Sequence, residues 1–183
     1  MIYNILFLLA GFFADTLLSL FFPLDPAMRS LVWVPSLGFL SFILIIRKRT
    51  LGEALAFGLL TGFFVDVLQY NQPVAVVIFP LIVFAVKNWT EHLNDSVVEL
   101  VFIGIVALFL REVGLFVWFS LVGITRLSVE WWFAKRVFLT LIVHIPLLTA
   151  WLGVNRFKNA LIAQAEANRR FQETELWRPG RKP

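Results

Sequence analysis

Cysteine is absent from the 183-residue chain, which removes disulfides, thiolate nucleophiles and Cys-ligated metal. Charge is scarce: Asp, Glu, Lys and Arg make up 15 % of the residues, against roughly 25 % in a soluble globular chain. Hydrolase and phosphate-loop signatures are missing too, with no Gly-x-Ser-x-Gly, no His-Glu-x-x-His and no Walker-type glycine loop. What fills the chain is apolar. Residues of the AVILMFWYC set reach 60 %, with 20 Phe and 7 Trp, and mean hydropathy is +0.83. Such a chain has too little polar surface to cover its own core, so part of its solvent is lipid. That excludes a soluble enzyme, a disordered chain and a secreted disulfide scaffold.

The apolar runs are continuous rather than alternating, and they approach the ~20 residues of a spanning helix. A β-barrel is therefore excluded, and the expected fold is an all-α polytopic bundle. Six segments stand out: Ile2–Phe22, Leu31–Ile46, Leu51–Tyr70, Val74–Val86, Val97–Val122 and Phe133–Leu152. Five spans is the competing count, because the second and fourth are short. The fourth carries Pro80 behind Pro73 and reads as a broken or re-entrant segment. Met1–Leu9 has no Lys or Arg, and Asp15 interrupts what a signal peptide would keep apolar.

Orientation follows from the basic residues. One side collects Arg47, Lys48, Arg49, Lys87, Arg156, Lys158, Arg169, Arg170, Arg178, Arg181 and Lys182, the other Arg29, Arg126, Lys135 and Arg136. Eleven against four places both termini in the cytoplasm. The expected division is a transmembrane bundle over 1–154 and a cytoplasmic basic helix with a disordered tail over 155–183. The tail reads either as a stop-transfer flank attracting anionic lipid or as a docking element. No internal repeat is expected.

Ionisable residues inside apolar spans each cost about 2.5–3.5 kcal/mol at a helix centre and mark candidate sites. Here they are Asp15, Glu53, Asp66, Arg111, Glu112 and His144. Gly58, Gly62 and Asp66 recur every fourth residue and share one helix face, which reads as a packing or partner-binding face. The bland alternative is ordinary glycine packing beside an interfacial aspartate. Arg111 and Glu112 lie mid-span and call for partners: Glu112 or Asp15 for the arginine, then Asp66. His144 reads as hydrogen-bonded to a neighbour, since nothing has metal-ligand spacing. Trp33, Trp118, Trp131, Trp132 and Trp151 are candidate interface anchors or partner contacts, with Trp131 and Trp132 read as belt anchors. Asn88-Trp89-Thr90 and Asn94-Asp95-Ser96 match the glycosylation pattern but fall in a loop placed in the cytoplasm. No catalytic constellation, cofactor, metal or nucleic-acid site is expected.

From Val32 to Trp89 the order of features resembles the bacterial rod shape-determining MreD family. The resemblance runs through Val32-Trp33-Val34-Pro35-Ser36-Leu37, the basic turn Arg47-Lys48-Arg49, and the helix from Gly58 through Gly62 to Asp66-Val67-Leu68. The polar turn Gln69-Tyr70-Asn71-Gln72-Pro73 follows, lacking the Leu-Gly with which the family often ends it. The resemblance implies a non-enzymatic inner-membrane subunit of the cell-elongation machinery. Its implied partners are a bitopic MreC-type protein, the RodA–penicillin-binding-protein peptidoglycan synthase, MreB filaments and membrane lipids. It also implies a fold similar to the substrate-binding subunits of energy-coupling-factor vitamin transporters, which supplies the alternative function. An intramembrane enzyme or proton-coupled carrier built on Asp66, Arg111, Glu112 and His144 ranks last. Arg29, Arg126 and Arg136 are the expected outer contacts to a partner.

Overall fold

The computed structural model describes residues 2–22, 31–70, 72–90 and 96–176, with side chains as far as residue 171 and only the backbone of Tyr70 and Thr90. Its elements are α1 (Ile2–Phe21), α2 (Leu37–Ile46), α3 (Leu51–Val65), α4 (Ala75–Thr90), α5 (Val97–Leu121), α6 (Val129–Trp132) and α7 (Phe138–Leu176). A π-helical turn, Asp66–Tyr70, extends α3, and another, Phe133–Val137, joins α6 to α7. The architecture is an all-α bundle, with no strand among the described residues. Four helical stretches are long and apolar enough to cross a membrane: Ile2–Phe21, Leu51–Gln69, Val97–Leu121 and Val129–Phe171. The other two segments form shorter apolar helices.

Local chemistry sets the boundaries. Thr50 with Glu53 and Ser96 with Glu99 form reciprocal capping boxes that start α3 and α5. Ser128 Oγ accepts the Trp131 N–H to open α6. At the end of α5, Gly123 adopts φ +75°. The Ile124 N–H bonds Phe119 O at 2.9 Å and the Gly123 N–H bonds Ser120 O at 3.2 Å. This is the double closure that a left-handed glycine permits. Residues 31–36 form no regular element, so the second segment becomes helical only at Leu37, two residues after Pro35. The fourth is not broken: α4 runs unbroken with Pro80 inside it.

Helix α2 is the axis of the bundle, with all ten residues buried. Its Phe39 and Phe42 pack with Phe57 of α3 and Phe79 of α4, with ring centroids 5.1–6.1 Å apart. A second cluster joins Phe7, Leu40, Leu44, Leu148 and Leu152, holding α1 and α7 to α2. By contrast α1 turns Leu6, Leu9, Phe13, Leu17 and Leu20 outward. The 39-residue α7 is about 58 Å long at 1.5 Å per residue. That is nearly twice a hydrocarbon core, and the part beyond Ile162 is exposed along 163–171.

Candidate functional site

A buried helix N-terminus leaves amide N–H groups that neither lipid nor apolar side chains can satisfy. α2 and α4 both start inside the bundle, and each is closed by a carboxylate from the preceding helix. Asp15 of α1 accepts the N–H groups of Leu37 and Gly38 at 2.6 and 2.8 Å. Asp66, at the end of α3, accepts those of Ala75 and Val76 at 2.7 and 2.8 Å. The negative charge also lies at the favourable end of each helix dipole. Four residues before each aspartate stands a glycine pressed against the capped helix. A Cβ on Gly11 would lie 2.8 Å from Gly38 Cα, and one on Gly62 would lie 2.6 Å from Ala75 O.

These two hairpins share a sequence signature. Gly11-Phe12-Phe13-Ala14-Asp15 matches Gly62-Phe63-Phe64-Val65-Asp66, and Pro35 and Pro73 each stand two residues before the first bonded N–H. The expectation of no internal repeat is therefore corrected: α1–α2 and α3–α4 are two copies of one device. The connections differ in length: Pro35 stands 20 positions after Asp15, and Pro73 seven positions after Asp66. The face of Gly58, Gly62 and Asp66 is turned onto α4 of the same chain. Gly58 meets Val83 and Phe42, and Gly62 meets the α4 backbone. Asp66 is 6 % exposed, not a snorkelling interfacial residue.

The remaining charges of the apolar segments converge between α5, the 31–36 segment and the π-helical turn before α7. Arg111 Nη1 donates to Ser36 Oγ at 2.6 Å and lies 3.8 Å from Glu112 Oε1. Its guanidinium also rests over the Phe39 ring at 5.2 Å. The shorter partner of Glu112 is Arg136, whose Nε donates to Oε2 at 2.8 Å. Arg136 was expected as an outer contact to a partner; instead it turns inward from the π-helical turn. Arg126 is exposed, and Arg29 lies outside the described residues. His144 is fully buried, with Nδ1 2.6 Å from Thr140 O. That contact makes Nδ1 the donor and leaves Nε2 an acceptor, which has no partner among the described residues. Glu53 is exposed and completes the Thr50 capping box at the start of α3.

The tryptophans divide. Trp132, expected as a belt anchor, is buried and stacks on Phe116 at 4.5 Å. Trp131 is exposed, with Lys135 Nζ 5.0 Å above its ring. Trp151 Nε1 donates to Ser41 at 2.7 Å and its ring stacks on Phe7. Trp118 Nε1 reaches Gln72 at 3.4 Å. Trp33 faces an apolar groove of about 550 Å³ between α1 and α7, beside Leu18, Leu139 and Pro146. At the opposite, basic end, Lys87 Nζ donates to Arg47 O and Arg49 O and closes the C-terminus of α2. A mixed cavity of about 390 Å³ opens there between the ends of α1, α2 and α3 and the α7 extension. Among the described residues no group of three His, Asp or Glu is placed to hold a metal.

Sequence reasoning found Asp15, Asp66, Arg111, Glu112 and His144 but missed Arg136, Ser36 and the polar cavity. A signal for Arg136 existed: it falls inside the sixth apolar segment, Phe133–Leu152, rather than in the loop before it. No family model, no curated protein and no solved structure matches the chain.

Proposed function

We propose that this chain is a non-enzymatic membrane scaffold of the rod-elongation machinery, holding an MreC-type bitopic protein. The observation that carries the reading is the stretch Val32–Trp89, whose Pro35 segment, basic turn and Gly58–Gly62–Asp66 helix resemble MreD. Two features of the bundle support it. The described helices leave little mass outside themselves, so a partner must be met in or beside the membrane. α1 leaves one long apolar face open, suited to another transmembrane helix. In this reading the chain sits in a bacterial inner membrane, with the basic end and both termini cytoplasmic.

The test is purification from the native membrane in mild detergent, followed by identification of bound chains. Recovery of a single-span MreC-type protein at stoichiometric level is the expected result. Recovery of an ATPase pair with a tightly held vitamin would replace this reading with the transporter-subunit alternative.

A further inference from the structure

The cavity at the basic end is a built polar site that the scaffold reading does not use. Its walls include Lys48, Arg49, Asn155 and Lys158, with Leu44 and Ile45 on the apolar side. Asn155 and Lys158 are each only 8 % exposed. The Asn155 Oδ1 is buried without a hydrogen-bond partner among the described residues, although a buried amide oxygen is costly to leave unpaired. Lys158 Nζ stands over the Phe7 ring at 4.6 Å, held by the face of an aromatic rather than by a carboxylate. Two carboxylates line the rim. Glu53 is committed to its capping box and lies 3.8 Å from Arg49, and Glu166 follows Lys158 by two turns on α7.

We propose that this cavity binds the phosphoglycerol headgroup of an anionic membrane lipid. The phosphate sits between Lys48 and Lys158, and a headgroup hydroxyl donates to Asn155 Oδ1. Three facts select this chemistry. Paired cations call for an anion. A buried acceptor calls for a hydroxyl donor, which a bare phosphate diester does not carry. The site also takes in Asn4 of α1, whose neighbours Leu6 and Leu9 face outward, so acyl chains continue along that apolar face of α1. The volume equals about thirteen waters at ~30 Å³ each, more than a phosphoglycerol group fills. Burial and the neighbouring Lys48 charge push the Lys158 amine down to about 8, a cost that a bound phosphate removes. This site stands independently of which complex the protein serves.

The test is native mass spectrometry of the full chain in neutral detergent with phosphatidylglycerol, phosphatidylcholine or phosphatidic acid. Phosphatidylglycerol should be retained over phosphatidylcholine. The double substitution Lys48→Met, Lys158→Met should weaken its retention about tenfold or more. Asn155→Leu should erase the preference for phosphatidylglycerol over phosphatidic acid, which lacks headgroup hydroxyls. Glu166→Gln removes a rim charge and should raise retention, a gain that misfolding cannot produce. Equal retention by the wild type and the double variant overturns the site. Displacement of the lipid by an equal concentration of soluble glycerol phosphate overturns the lipid as ligand. Loss of a bound protein from the double variant, with lipid retention unchanged, makes the cavity a protein contact and overturns the proposal equally.

Discussion

The hairpins α1–α2 and α3–α4 solve one problem with the same five-residue device in different surroundings. In both, a short helix starts inside apolar material and a carboxylate replaces the water its first amides lack. In the second hairpin the carboxylate is buried and its helix follows after a short turn. In the first, Asp15 is half-buried, its helix arrives after a long connection, and that helix is the most deeply buried element. The third pair, α5 and α7, has no such aspartate. It is joined by the Arg111–Glu112–Arg136 group, an ion network where the others use a carboxylate on backbone amides. Short internal helices need a cap from outside themselves, whereas long helices expose their ends and can spend their polar side chains on each other.

The largest effect should come from removing the carboxylates. Asp66→Leu deletes two charge-assisted hydrogen bonds and should cost about 3–6 kcal/mol of stability, read from denaturant unfolding in micelles. Asp66→Asn keeps one acceptor oxygen and should recover part of the loss. Asp15→Leu should cost less, because its surroundings admit more solvent. Equal losses at the two positions would break the distinction drawn from burial.

How much of this was legible beforehand depends on the kind of interaction. The six apolar segments and the shared face of Gly58, Gly62 and Asp66 follow from length and period, and both appear in the bundle. What that face meets does not follow: α4 begins nine residues after Asp66, and the same spacing suits a partner chain. The Gly-Phe-Phe-x-Asp repeat stood in the sequence but carries little information in a chain with 20 Phe. The Glu112–Arg136 pair spans 24 residues, and an arginine beside two tryptophans looks like an interface flank. Trp132 misled for the same reason, since a buried stacked indole and an interfacial one have the same local sequence.

The glycines give a smaller and sharper test of the comparison. Gly62→Ala drives a Cβ into the α4 backbone, which cannot yield as a side chain does, and should cost about 1–3 kcal/mol. Gly11→Ala meets both Ser41 Oγ and the Gly38 backbone and should cost a similar amount. At Gly58 the nearest atom is a Val83 methyl at 3.1 Å, so alanine there should be nearly neutral. Gly153→Ala, with nothing within 4 Å, should stabilise by up to about 1 kcal/mol through helix propensity. Thermal unfolding of the four variants ranks them. A Gly58→Ala loss as large as that of Gly62→Ala would mean that close backbone approach is not what the repeat conserves between its two copies.

The smallest expected effect lies at the far end of the first hairpin, where Lys158 of α7 stands over Phe7 of α1. Lys158 there titrates near 8 instead of the ordinary 10.5, because burial and Lys48 both disfavour its charge. Between those values the unfolded chain binds more protons than the folded one, so stability rises with pH across that window and is lowest below it. The unscreened shift corresponds to about 3 kcal/mol; solvent screening at the mouth of an open cavity cuts this to about 1 kcal/mol. In a chain this long the rise should then be about 2–4 °C in Tm. Lys158→Met should flatten it, and Lys48→Gln should reduce it by removing one of its two causes. Phosphatidylglycerol should flatten it in the unsubstituted protein as well, since a bound phosphate restores the charged amine. Measured in neutral detergent, a pH step unchanged in Lys158→Met would assign it to other groups. A step abolished by Lys158→Met but insensitive to phosphatidylglycerol would leave the amine buried without a lipid ligand, and its contact with the first hairpin would be structural alone.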